Sequence, residues 1–83
     1  MWTVRFKRRA EKAIAAMHPQ DRMRVTKAIE LLAVDPHQAR NVKPLAGEAN
    51  LRLRVGGFRV IYRLENDLLI VVVIDAGPRG GIY

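Results

Sequence analysis

The stretch Leu51-Arg52-Leu53-Arg54-Val55-Gly56-Gly57-Phe58-Arg59-Val60-Ile61-Tyr62-Arg63 alternates apolar and cationic residues on either side of a Gly-Gly step. That is the pattern of two antiparallel strands joined by a two-residue turn at Gly56-Gly57. With Val55 opposite Phe58, the pairs run outward in a fixed order. Arg54 meets Arg59, Leu53 meets Val60, Arg52 meets Ile61 and Leu51 meets Tyr62. Side chains alternate between the two faces, so the hairpin puts its apolar set on one side and Arg52, Arg54, Arg59 and Arg63 on the other. Like charges directly across a sheet destabilise it. Nothing acidic lies between Glu48 and Glu65 to relieve them. The pattern therefore points to an anionic ligand, with a row of phosphates as the natural candidate.

Working outward, Trp2-Thr3-Val4-Arg5-Phe6 alternates as a short first strand. From Lys7 the period changes: Ala10, Ala13, Ile14 and Met17 make one apolar stripe of a helix. His18-Pro19 interrupts it, because the residue before a proline is pushed out of the helical region. Pro19 then suits the first turn of a second helix, with Asp21 near its positive end and Val25, Ala28, Ile29, Leu32 and Ala33 as its stripe. Residues 35–50 show no period and are punctuated by Pro36, Pro44 and Gly47, as a loop would be. After the hairpin, Asn66-Asp67 makes a turn, and Leu68 to Ile74 is an unbroken apolar run of the kind found in a strand covered on both faces. The expected order is β-αα-βββ. It is an α+β two-layer domain with a helical hairpin packed on a mainly antiparallel four-stranded sheet. Leu51, Leu53, Val60, Tyr62, Val71 and Val73 face the helices. The arginines share the outer face with Ile70, Val72 and Ile74, and Ile74 falls beside Arg59.

The chain has 83 residues, which is the size of one domain, and 49% of them are hydrophobic, enough for a folded core. Fifteen Lys and Arg stand against eight Asp and Glu, a net charge of +7, and eleven of the fifteen are arginine. Arginine is the side chain suited to two-point phosphate contact. With no cysteine, neither a disulfide framework nor a thiolate metal site is available. No apolar run reaches the roughly 18 residues of a membrane span. A cytoplasmic protein without membrane attachment is the expectation.

Other constellations carry less. His18 and His37 sit at helix boundaries without metal-ligand spacing, and read as terminus and loop residues; no metal or other cofactor is expected. Trp2 reads as a core or edge-strand aromatic. Lys7, Arg8, Arg9 and Lys12 form a basic helix face; such faces are usually only solvated, but this one could add RNA or ribosome contacts. Arg79 and Tyr83 follow a Gly-Pro step, where composition alone gives a frayed segment.

Three segments carry a resemblance: Val42-Lys43-Pro44-Leu45-x-Gly47, the hairpin 51–63, and Gly77-x-Arg79-x-x-x-Tyr83. In this order they resemble the bacterial RelE/ParE toxin superfamily over essentially the whole chain, the middle segment most specifically. The resemblance implies a microbial RNase-like α+β fold and a type II toxin–antitoxin pair. RelE-like members cleave messenger RNA in the ribosomal A site without a metal, leaving a 2′,3′-cyclic phosphate, whereas ParE-like members inhibit DNA gyrase. Carried over residue by residue, the resemblance makes Arg54, Arg59, Arg79 and Tyr83 catalytic. Arg52 grips RNA; with Arg63 and the basic helix face Lys7, Arg8, Arg9 and Lys12, both read from the residues above, it makes up the expected RNA-binding set. The resemblance also implies a cognate antitoxin, acidic and with an amphipathic segment, and operator-DNA binding only by the toxin–antitoxin complex. Two departures stand out. Arg52 and Arg54 occupy positions where several RelE-like members carry lysine, and arginine does not give up its proton at neutral pH. Pro78 replaces the His or Lys that commonly precedes the late arginine, and no carboxylate substitutes for it nearby. Two alternatives therefore stay open: a non-enzymatic gyrase inhibitor of the ParE kind, and a degenerate toxin that only binds its antitoxin.

Overall fold

The computed structural model describes residues 1–45 and 49–78. Its elements run β1 (Thr3–Phe6), α1 (Arg8–Ala15), α2 (Pro19–Val34), a 3-10 turn (Pro36–Gln38), β2 (Val42–Pro44), β3 (Leu51–Val55), β4 (Phe58–Glu65) and β5 (Ile70–Pro78). The strands form one five-stranded sheet in the order β1-β5-β4-β3-β2. β1 pairs parallel to β5, and the other pairings are antiparallel.

Each helix begins where its sequence allows. Lys7, in an extended conformation, precedes α1, and its N–H bonds the carbonyl of Val73, which ties the start of the helix to β5. Pro19 opens α2, where its missing N–H costs nothing, and Asp21 lies in the first turn. The core joins Ala10 and Ile14 of α1, Val25, Ile29 and Leu32 of α2, and Leu53, Val55, Val60, Tyr62, Val71, Val73 and Ala76 of the sheet. Trp2 and Met17 are half-buried against it. This is the α+β architecture expected, with the apolar hairpin face on the helices.

The hairpin register is the one read from the sequence, from Val55 opposite Phe58 to Leu51 opposite Tyr62. Gly56 takes φ +56°, and no positive φ is found at Gly57, the pattern of a II′-type turn.

Three expectations are corrected. The sheet has five strands and not four, because Val42–Pro44 adds an edge strand to β3 inside the expected loop. Three residues ending in proline carry no readable period, and proline is tolerated at an edge. The last strand starts at Ile70 instead of Leu68 and continues to Pro78; Leu68 and Leu69 belong to the turn, with Leu69 at φ 54°. Finally, Ile74 does not lie beside Arg59. The register slips between Ile61, opposite Asp75, and Tyr62, opposite Val73, so Ile74 is an extra residue in a bulge and Arg59 pairs with Gly77. Such an insertion reverses which side the following residues face relative to strict alternation.

Candidate nucleic-acid interface

The face away from the helices can be followed in rows across the strands, because directly paired residues point to the same side. One row is Arg54–Arg59–Gly77. The next is Lys43–Arg52–Ile61–Asp75, crossing β2, β3, β4 and β5. A third is Arg63–Val72–Arg5, which reaches the far edge on β1. The structure thus brings Arg52, Arg54, Arg59 and Arg63 onto one side, as the alternation predicted, and adds Lys43 and Arg5.

The arginines are not equally placed. Arg54 is exposed, Arg52 and Arg63 are half-buried, and Arg59 is only 8% exposed. Ile61, at 1% exposure, lies among them on the same face, where long cationic side chains cover apolar surface with their methylene stems. Arg63 Nη2 is 3.3 Å from Glu65 Oε1, a partly exposed pair that screens one cation and contributes little to stability.

Sequence reasoning missed Asp75. It is 4% exposed and takes the outward position opposite Ile61 that the bulge opens. Its Oδ1 accepts the Ala76 N–H at 2.9 Å, and its Oδ2 lies 3.0 Å from Nε of Arg9. A carboxylate thus stands three residues before Pro78, with both oxygens engaged by Ala76 and Arg9. The signal was present: Asp75 is the one charged residue between Leu68 and Pro78, and a charge inside an apolar strand needs a partner.

The basic residues of the first helix part company. Arg9 joins the outer face through Asp75. Lys7 lines a recess of about 300 Å³ on that face with Arg5, Phe6, Arg63, Glu65, Ile70 and others. Arg8 and Lys12 are exposed on α1. Arg79 and Tyr83 lie outside the described residues. His18 precedes the first turn of α2, and His37 packs edge-on against Trp2, ring centroids 5.6 Å apart, with Nε2 2.9 Å from Asn66 Oδ1. Among the described residues no group of His, Asp and Glu is placed to hold a metal ion. No helix among them is long and apolar enough to cross a membrane.

Chemically, this face can grip a chain of phosphates. Arg54 directly opposite Arg59, with Arg52 and Lys43 in the next row, offers several guanidinium and ammonium donors to neighbouring anionic oxygens.

The comparisons agree with this architecture. A family model described as ParE toxin of type II toxin-antitoxin system, parDE, matches residues 1–83. Among solved structures, the toxin–antitoxin complex RelBE2 from Mycobacterium tuberculosis holds a chain 28% identical, with a TM-score of 0.81 over 94% of this chain and 98% of that one. The archaeal RelE-RelB complex from Pyrococcus horikoshii holds a chain 22% identical at a TM-score of 0.82, covering 96% and 97%. The intact E. coli RelBE complex holds one 23% identical at 0.77, covering 94% and 96%. The latter two speak to the fold alone. No curated protein matches. With its full length matched by the family and its helix hairpin and sheet shared with RelE structures, the chain belongs to the RelE/ParE family of toxins of type II toxin–antitoxin systems.

Proposed function

We propose that this toxin is a ribosome-dependent messenger-RNA endonuclease that needs no metal and is held inactive by a cognate antitoxin. The observation that carries the reading is the register of Arg54 against Arg59, with Arg52 beside them on a face that packs on neither helix. In the reaction the 2′-OH of one nucleotide attacks its own 3′-phosphate. The bond to the 5′-oxygen of the next nucleotide breaks, and a 2′,3′-cyclic phosphate remains. The attacking hydroxyl must lose a proton, and the leaving oxygen must gain one. Arg54 and Arg59 hold the phosphate and neutralise the charge that builds on its oxygens, while Arg52 grips the RNA. Fixed donors aimed at developing charge are commonly the largest single contribution to such a rate. Arg79 is assigned to the same clamp and Tyr83 to orienting or deprotonating the nucleophile, both on the family resemblance. The antitoxin would be acidic, to match the +7 charge, and would present an amphipathic segment. The three solved relatives described above are each toxin–antitoxin complexes.

The test is toxicity and message cleavage on induction in cells. Arg59→Glu abolishes translation arrest. Because Arg59 is buried, the exposed Arg54→Ala is the companion, and it lowers the cleavage rate about 100-fold. Full toxicity in both variants would overturn the assignment.

A second reading is a gyrase inhibitor of the ParE kind. It is favoured by the description of the matching family and by arginine, a poor general base, at positions 52 and 54. Induction separates the two. Cut messages with immediate loss of protein synthesis support the nuclease, whereas filamentation with a DNA-damage response supports gyrase.

A further inference from the structure

We propose that Arg9 is a phosphate-contacting residue of the arginine face and that Asp75 is the residue that positions it. The inference rests on the reading of that face as an RNA site and adds an element to it, since Arg9 stands on α1 and the other cations stand on strands.

Read along the helix, Arg9 belongs with Lys7, Arg8 and Lys12 on a solvated surface. The bulge in β5 changes that. Were β5 regular, alternation from Val73 would turn Asp75 toward the helices; with Ile74 in a bulge, Asp75 ends the row Lys43–Arg52–Ile61–Asp75. Its carboxylate is held from two sides, by the Ala76 N–H on Oδ1 and by Arg9 on Oδ2. Both oxygens are engaged, which suits Asp75 to holding a cation and not to taking a proton from substrate.

The pair is lopsided. The Asp75 side chain is 5% exposed and that of Arg9 is 74% exposed. Withdrawing a carboxylate from water is costly, and one well-exposed partner offsets it poorly. The exposed end of this pair can meet a second anion. Here the carboxylate takes the Nε edge of the guanidinium and fixes the plane of the group. The rest of the guanidinium, on a side chain 74% exposed, offers further N–H donors that match the oxygens of a phosphate. The plain structural alternative is that Asp75 only complements the positive end of α1.

The experiment uses the purified full chain, a labelled single-stranded RNA oligonucleotide titrated at several salt concentrations, and cleavage on programmed ribosomes. Arg9→Ala weakens RNA binding about tenfold, as loss of one charge-assisted contact should. It also makes the slope of log affinity against log salt shallower by about 0.7, the value of one phosphate contact on a single strand. Asp75→Asn keeps the acceptor for the Ala76 N–H and reproduces that weakening, although Arg9 is still present. The double variant is no weaker than either single one, because the two residues act as a unit. Arg9→Lys does not restore binding, since one ammonium cannot serve both the carboxylate and the RNA.

Arg9→Ala with unchanged affinity and salt slope, even if its melting temperature falls, would overturn the proposal and leave the helix-end role. Additive effects in the double variant would overturn the positioning role. Should Asp75→Asn fail to fold, Arg9→Ala still decides, because it alters an exposed side chain. If the parent chain binds RNA through Arg9 but cuts no message, the nuclease reading falls and this inference stands. If the parent binds no RNA at any salt, this inference falls.

Discussion

Tyr62 carries its hydroxyl into the core with 0% exposure, and its Oη has no hydrogen-bond partner among the described residues. Burial, which disfavours the phenolate, pushes its pKa from 10.0 up to about 12. The sign of the consequence follows. Below pH 10 the phenol is neutral in folded and unfolded chains alike, and its contribution to stability is fully present. Between about 10 and 12 the unfolded chain ionises while the folded one does not, so stability falls as pH rises through that window. Tyr62→Phe should flatten that decline. At neutral pH it should leave stability unchanged or raise it by about 1 kcal/mol, since a buried hydroxyl without a bond is a cost. Denaturant titrations across the alkaline window check this, and an equal decline in both proteins would refute it. On the opposite face, the two buried charged residues among those described, Arg59 and Asp75, stand diagonally across β4 and β5. The arginine was visible from its alternation with apolar neighbours. The aspartate was passed over because Val71-Val72-Val73-Ile74 reads as uninterrupted strand, and nothing in those side chains marks the residue at which the backbone bulges.

At the level of elements, the β3–β4 hairpin is where local chemistry and tertiary structure agree, and its turn can be tested directly. Gly56 takes a left-handed φ, and a Cβ there would come within 3.3 Å of Arg24 Nη1 on α2; a Cβ at Gly57 would meet nothing within 4 Å. Gly56→Ala should therefore destabilise by about 1 kcal/mol or somewhat more. Gly57→Ala should be near neutral. Chemical denaturation of the two variants decides, and equal losses would contradict the turn described. The hairpin register was legible because a one-residue slip would move every apolar side chain to the wrong face. Both helices were legible for a similar reason, since their apolar stripes fit only the core side. β2 was not, because Val42–Pro44 is held by its pairing to β3 and not by any pattern of its own. The start of β5 was misplaced by two residues because Leu68 and Leu69 are apolar yet exposed in the turn.

For the molecule as a whole, the outer face gathers Lys43, Arg52, Arg54, Arg59, Arg63, Arg5 and Arg9 against Asp75 and Glu65, within a chain of net charge +7. Binding to single-stranded RNA should weaken steeply with salt. A slope of about −2 to −4 in log affinity against log salt corresponds to three to five phosphates engaged. A titration insensitive to salt would show that the cations of this face do not meet the RNA backbone. The chemistry proposed for cleavage was less legible than the cationic face. Arg79 and Tyr83 rest on family resemblance, whereas the cationic rows rest on strand pairing.

The parallel pairing of β1 with β5 has a temporal consequence. Thr3 through Phe6 are made well before their sheet partners, Ile70 through Val73. Contacts so distant in sequence form slowly, because a long loop must close before they form. The row that ends in Asp75 waits for the same strand. A growing polypeptide therefore displays helices and a hairpin but no finished face until β5 has taken its place between β1 and β4.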